Sequence, residues 1–118
     1  VKVLKLAPIY FDLNSSYLRD DAFSNLDKVV AYMKKRPEVK VEVGSHTDSR
    51  EEDNYNLWLS DRRAKRTVEY IIAAGIEPER ISGKGYGETQ LINKCANGII
   101  CSDRDHQLNR RSEFILIE

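Results

Sequence analysis

The chain has 118 residues, 41% of them hydrophobic, with 19 basic and 19 acidic side chains and a formal charge of zero at pH 7. That length suits one domain built on a single two-layer core, so residues 1–118 are expected to form one domain cut from a longer precursor. The balanced charge argues against non-specific nucleic-acid binding, which needs a basic surplus to displace counterions. No window approaches the 18 consecutive apolar residues of a membrane-spanning helix. Any membrane attachment is therefore expected in a region preceding Val1.

The opening residues "VKVLKLAPIYFD" lack a cleavable signal pattern. They alternate and then turn apolar, which predicts a strand bent at Pro8 and lying near a sheet edge. From Asp20 to Arg36 the period changes to that of a helix, with Ala22, Leu26, Val29, Val30 and Met33 on one stripe. Asp20 and Asp21 favour its start, Lys34, Lys35 and Arg36 complement its C-terminal dipole, and Pro37 stops it. In "EVKVEVGSH" the alternation of Val39, Val41 and Val43 predicts a half-buried strand that delivers His46, Thr47 and Asp48 at its end. A second helix is expected from about residue 54 to 74, with Leu57, Ala64, Val68, Ile71 and Ile72 as its core stripe and Gly75 as its C-cap.

The glycine-rich "RISGKGYGE" reads as a short strand with close backbone approach. It does not have the G-x-x-x-x-G-K-S/T spacing of a phosphate-binding loop. "RRSEFILIE" reads as a central strand with an apolar middle, and residues 89–109 between them as a long irregular segment. Two helices separated by strands pack most simply on one face of a mixed four-stranded sheet, an α/β two-layer sandwich. Cys95 and Cys101 bracket an Asn-Gly turn signal, a spacing suited to a disulfide and so to an oxidising compartment. Reduced thiols, or a zinc site with His106, are the alternatives.

The second helix carries a further stripe, Asn56, Ser60, Arg63, Thr67 and Tyr70, polar along its length. Arg63 has a planar fork suited to a carboxylate, and the preceding strand brings Asp48 close to it. The two can present an anion and a cation to one ligand. Equally, they can pair only with each other, an exposed contact worth about 0–1 kcal/mol. His46 reads as a strand-end histidine with a hydrogen-bond partner, and the acids at 51–53 as a solvated loop.

Taken together, "IYFDLNSSYL", "GSHTDSR", "YNLWLSDRRAK", "GIEPERISGKGYGE" and "NRRSEF" resemble the OmpA-like domain of OmpA C-terminal domains, Pal and MotB. The cysteine-bracketed loop before "HQLNRRSEF" looks closest to the branch found in outer-membrane proteins of Bacteroidetes. The resemblance implies an OmpA C-terminal-like sandwich that binds peptidoglycan through the diaminopimelate of its stem peptide and anchors the outer membrane to the cell wall. It implies no cofactor and no catalysis.

By position, the resemblance assigns Asp48 to the ligand's ammonium and Arg63 to a carboxylate, with Asn56 in support. Thr47 and Leu59 lie in the same motifs, Phe11, Asp12 and Asn14 flank the pocket, and Arg111 closes its rim. One departure is Glu51, where many members have glycine, so the loop there is expected to take another path. A metal-assisted cell-wall hydrolase using His46 and Asp48, or a protein-protein assembly domain, remain the alternative functions, and the oligomeric state is left open.

Overall fold

The computed structural model describes residues 6–50, 52–96 and 99–117. Its elements run β1 (Ile9–Tyr10), α1 (Phe23–Lys35), β2 (Lys40–Ser45), α2 (Asp53–Ala73), β3 (Ile81–Gly85), α3 (Asp103–Gln107) and β4 (Arg111–Ile117). The four strands form one sheet in the order β1-β4-β2-β3. β2 and β3 are parallel and joined through α2, whereas β4 is antiparallel to both of its neighbours. This is the expected mixed α/β sandwich.

Strand β1 is an edge strand just past Pro8, as the sequence predicts, and β4 is central. The part of the expected first strand at residues 1–5, the Asn97-Gly98 turn and Glu51 all lie outside the described residues. A 3₁₀ turn at Asp20–Ala22 leads into α1, and Ala22, Leu26, Val29, Val30 and Met33 are all buried. They meet Val39, Val41, Val43, Phe114 and Leu116 of the sheet in the main core. Tyr70 of α2 donates a 2.7 Å hydrogen bond to Asp27 of α1 and ties the two helices. Helix α2 ends at Ala73, and Gly75, at φ 111°, donates its N–H to the Ile72 carbonyl, the left-handed C-cap expected of it.

Helix α2 meets the sheet differently from the expectation. Its buried face is Asn56, Leu59, Ser60, Arg63, Ala64, Thr67 and Ile71, while Leu57, expected in the core, is 48% exposed. The polar stripe is thus the inward one over the N-terminal half. The reason is what it packs on. Here the sheet presents Ser45 and Ser112, whose hydroxyls lie 2.6 Å apart, and Thr67 donates to the Arg63 carbonyl at 2.7 Å while lying 3.2 Å from Ser112 Oγ. Ser60 Oγ accepts from the Gly87 N–H at 2.9 Å and donates to the Leu57 carbonyl. The serine and threonine hydroxyls of this layer thereby gain partners, which removes most of their burial cost.

Small residues also bring helix and strand together. A Cβ added at Gly83 would sit 2.9 Å from Val68 Cγ2, and one at Gly85 only 2.4 Å from the Asp61 amide nitrogen. Strand β3 is therefore the close-approach strand predicted from "GKGYG".

The long segment after β3 is not wholly irregular. It contains α3, whose cap Ser102 accepts a hydrogen bond from the Asp105 N–H. A disulfide joins Cys95 and Cys101. Asn109 and Asn93 pair through their side-chain amides at 2.9 Å and hold the segment against the start of β4.

Candidate functional site

Past the C-terminal end of β2 the chain leaves the sheet, and α2 returns beside it. A closed cleft, too narrow in this form to hold a water molecule, lies where the two meet the turn after β1. Leu13, Asn14, Thr47, Asp48, Asn56, Leu59, Arg63 and Arg110 line it. Six of these eight, Asn14, Thr47, Asp48, Asn56, Leu59 and Arg63, are residues the sequence singled out.

Among the described residues, Arg63 is the largest fully buried side chain. Its Nε donates to the Ser15 carbonyl at 2.8 Å, and its two terminal nitrogens donate to the carbonyls of His46 and Asp12, each at 3.0 Å. The guanidinium also lies 5.0 Å from the ring centroid of Phe11. Phe11 and Asp12 therefore act from behind the cleft: Phe11 as a buried floor, Asp12 through its backbone. The Asp12 carboxylate points to solvent, 3.6 Å from Arg19. Burial, reinforced by the charge of Arg110, brings the Arg63 guanidinium down to about 10, still cationic at neutral pH. An arginine has five N–H donors. Three are used on carbonyls, which leaves two.

Asn14 sets the local chain path. It sits at φ 56°, a left-handed conformation that asparagine adopts more readily than most residues. The turn that carries it lays the carbonyls of Asp12 and Ser15 over Arg63. Asn56 is buried beside Arg63, with its amide nitrogen 3.4 Å from Glu88.

Asp48 is not paired with Arg63. Its Oδ2 accepts from Arg110 at 3.0 Å and from the Arg50 side chain at 3.1 Å, and its Oδ1 accepts from the Arg50 N–H at 3.1 Å. Burial alone would raise this carboxyl. The hydrogen bonds from the Arg50 backbone and side chain and from Arg110 outweigh it and hold the group below its ordinary range. Arg110 is fixed in turn by donating from Nε to the Phe11 carbonyl at 2.8 Å.

The arginine of "NRR" that reaches the cleft is thus Arg110, whereas Arg111, expected at the rim, points the other way. Strand alternation is the cause. Arg110 shares the parity of the inward residues Ser112, Phe114 and Leu116, and Arg111 that of Glu113. Arg111 donates to the Gln90 carbonyl at 2.9 Å and to Glu113 at 3.2 Å. Reading β4 as apolar on both faces hid this parity, although Phe114 and Leu116 carry it. Arg50 and Leu13 were likewise not singled out, since neither periodicity nor composition distinguishes them.

His46 also faces away from Asp48. Its Nε2 lies 3.1 Å from Glu113, and its ring stacks on Tyr86 at 5.3 Å between centroids. Among the described residues, the one group of three side chains close enough to share a metal is Cys95, Cys101 and Asp105, whose two sulfurs are joined to each other.

Residues 10–99 match the family model described as the OmpA family. The chain belongs to that family. Over 105 residues it is 32% identical to an outer membrane porin F of Pseudomonas fluorescens, a match covering 89% of this chain and 31% of the porin. Over 108 residues it is 31% identical to a peptidoglycan-associated lipoprotein of Brucella melitensis, covering 92% of this chain and 61% of the lipoprotein. The chain therefore spans less than two thirds of either relative. The crystal structure of the peptidoglycan-associated lipoprotein from Burkholderia pseudomallei superimposes with a TM-score of 0.84 over 93% of this chain and 89% of that one. At 21% identity, that likeness is one of fold. The OmpA-family fold expected from the sequence motifs is the fold observed.

Proposed function

We propose that this OmpA-family chain is a non-catalytic module that binds peptidoglycan through the diaminopimelate of its stem peptide, and that its cleft is the binding site. The observation that carries this reading is the convergence of buried Asp48, Arg63 and Arg110 on one cleft. A carboxylate there can receive an ammonium, and arginine donors not used on carbonyls can receive a carboxylate. Asn14, Thr47 and Asn56 add neutral polar groups around the charges, and Leu13 and Leu59 offer apolar contact to the methylenes between a ligand's ends.

In the longer protein this module anchors the outer membrane to the cell wall from the periplasmic side, with attachment to the membrane supplied by a region outside residues 1–118. The Cys95–Cys101 disulfide suits such an oxidising compartment, and the kinship with a peptidoglycan-associated lipoprotein supports the choice of ligand.

Calorimetric titration with a diaminopimelate-containing muropeptide tests the reading. Arg63 also holds three backbone carbonyls, so its truncation mixes folding with binding. Asn56→Ala is the cleaner variant; Asp48→Asn leaves the buried Arg110 without its counter-charge, so its binding is read beside thermal unfolding as the check on fold. Wild type is expected to bind, and Asp48→Asn to cost about 2–5 kcal/mol of binding energy because the ligand's ammonium loses its counter-charge. Equal heats for wild type and Asp48→Asn would remove the cleft from the function.

A further inference from the structure

Asp48 is buried and already occupied. Its side chain is 3% exposed. An ionised carboxylate offers about four acceptor positions. Oδ2 fills both of its own with Arg110 and the Arg50 side chain, and Oδ1 spends one on the Arg50 N–H. A ligand ammonium that is to pair fully with Asp48 must take a place now held by a guanidinium.

The two guanidiniums are not equally able to leave. Arg110 is 8% exposed and is pinned through Nε to the Phe11 carbonyl. Arg50 is 31% exposed, and its other terminal nitrogen already rests 3.0 Å from Asp103, a carboxylate that is 96% exposed. If Arg50 releases Asp48 it keeps an ion pair; if Arg110 does so, a buried charge loses its partner, which is far more costly.

The charge balance decides what can induce the exchange. Arg50, Arg63 and Arg110 stand against the carboxylates of Asp48 and Asp103, so one cation is in surplus and the cleft as it stands disfavours a lone ammonium and attracts a carboxylate. We infer that Arg50 is a place-holder in the cleft: its guanidinium occupies the position of a ligand ammonium on Asp48, competes with that ammonium, and gives way when the ligand's own carboxylate engages Arg63. This rests on the peptidoglycan reading above and narrows it. The ligand group selected is a zwitterionic centre, an ammonium and a carboxylate on one carbon, such as the free end of a diaminopimelate side chain. A plain amine brings no carboxylate to offset the cationic surplus, and an acylated one leaves Arg50 in place on Asp48.

The test uses two probes, a diaminopimelate-containing stem peptide with its side-chain ammonium free and the same peptide acetylated at that nitrogen. Each is titrated into wild type, Arg50→Gln and Arg50→Lys. Removing the competing cation in Arg50→Gln should tighten the free-ammonium peptide by about two- to fivefold, the equivalent of a partly exposed ion pair. It should weaken the acetylated peptide, which gains nothing from a freed Asp48 and loses a nearby cation. Arg50→Lys keeps the charge and should stay within about twofold of wild type for both.

If Arg50→Gln weakens both peptides, Arg50 merely positions Asp48 and the inference is overturned; unchanged affinity for both overturns it too. A tightened free-ammonium peptide with Arg50→Lys indistinguishable from Arg50→Gln would also overturn it, since charge would then not be the cause. If neither peptide binds wild type or Arg50→Gln, the peptidoglycan reading itself fails and this inference falls with it. Binding by wild type with an unaltered Arg50→Gln profile would overturn the inference alone.

Discussion

The ends of β2 and β4 build two buried charged clusters from nearly the same stretch of chain. On the helix side, Asp48, Arg63 and Arg110 surround a cleft; on the opposite side of the sheet, His46, Arg111 and Glu113 form a closed knot. The difference lies in where the arginines spend their donors. Arg63, which lines the cleft, spends three of its donors on carbonyls. Arg111 reaches the carbonyls of Asn109 and Gln90 and the carboxylate of Glu113, and so fastens the long segment before β4 onto the sheet. Arg110 and Arg111, adjacent and separated only by strand parity, thus differ: the first faces the cleft and the second staples a loop.

Truncation separates the two clusters most sharply. Arg63→Ala should cost about 3–5 kcal/mol of stability in urea denaturation, because buried carbonyls of Asp12, Ser15 and His46 lose a charged donor. It should also abolish muropeptide binding. Arg111→Ala should destabilise the fold as well, yet leave binding intact in any molecules that remain folded. Loss of binding in folded Arg111→Ala would break the distinction.

Acid should attack the knot before the cleft. Burial, with the charge of Arg111, pushes the His46 imidazole down to about 4 against the opposing pull of Glu113. A neutral ring that donates from Nε2 to Glu113 leaves Nδ1 as a bare acceptor, and Nδ1 is buried without a partner. Protonation would put an unmatched donor there. Since the folded value lies below the unfolded one, this contribution is fully present above about pH 6.5 and is lost as pH falls toward 4, at most about 3 kcal/mol. The Asp48 carboxyl is held below its usual range, so its contribution is lost only at still lower pH. Thermal unfolding between pH 7 and 4 should show a decline that His46→Gln flattens. An unchanged profile in that variant would count against the assignment.

The disulfide touches the cleft through one strut, the hydrogen bond from Ser49 to the Cys95 carbonyl. Replacing Cys95 and Cys101 by serine should lower stability by about 2–3 kcal/mol, from the entropy of the opened loop. Muropeptide affinity should fall with it, because Asp48 adjoins the strut, while the acid profile of His46 is retained. The smallest effect is expected at Arg19, which lies near the exposed carboxylates of Asp12 and Asp21. Arg19→Ala should change stability by less than about 1 kcal/mol and leave binding untouched, as measured by the same denaturation and titration.

Much of this organisation can be read from residues alone. The stripe of α1, the alternation of β2, the edge position forced by Pro8, the Gly75 cap and the close approach at Gly83 and Gly85 all follow from local rules, and each is present. Asp48, Asn56 and Arg63 come together for the same reason: a strand end and a helical period of three and four residues leave few other arrangements. What was not legible is which of two stripes on α2 faces inward. Apolar Leu57 lost that place to Asn56 and Ser60 because the sheet beneath is lined with serines, a fact held by distant β4. The choice between Arg110 and Arg111 likewise depends on a one-residue register that a strand with a continuous apolar run does not announce. Arg50 carries no pattern at all, and its position follows only from the loop geometry around Asp48.

The three carbonyls held by Arg63 belong to separate parts of the chain: the turn after β1 supplies two, and the end of β2 the third. In mechanical terms, a pull on anything gripped by this guanidinium is not carried by α2 alone. It is divided at once between the helix, the turn and the strand end, and through that strand into the hydrogen-bonded ladder with β4. Load enters the sheet by several routes in parallel, so no single element must bear it, and the grip should fail by ligand release before the fold is drawn open.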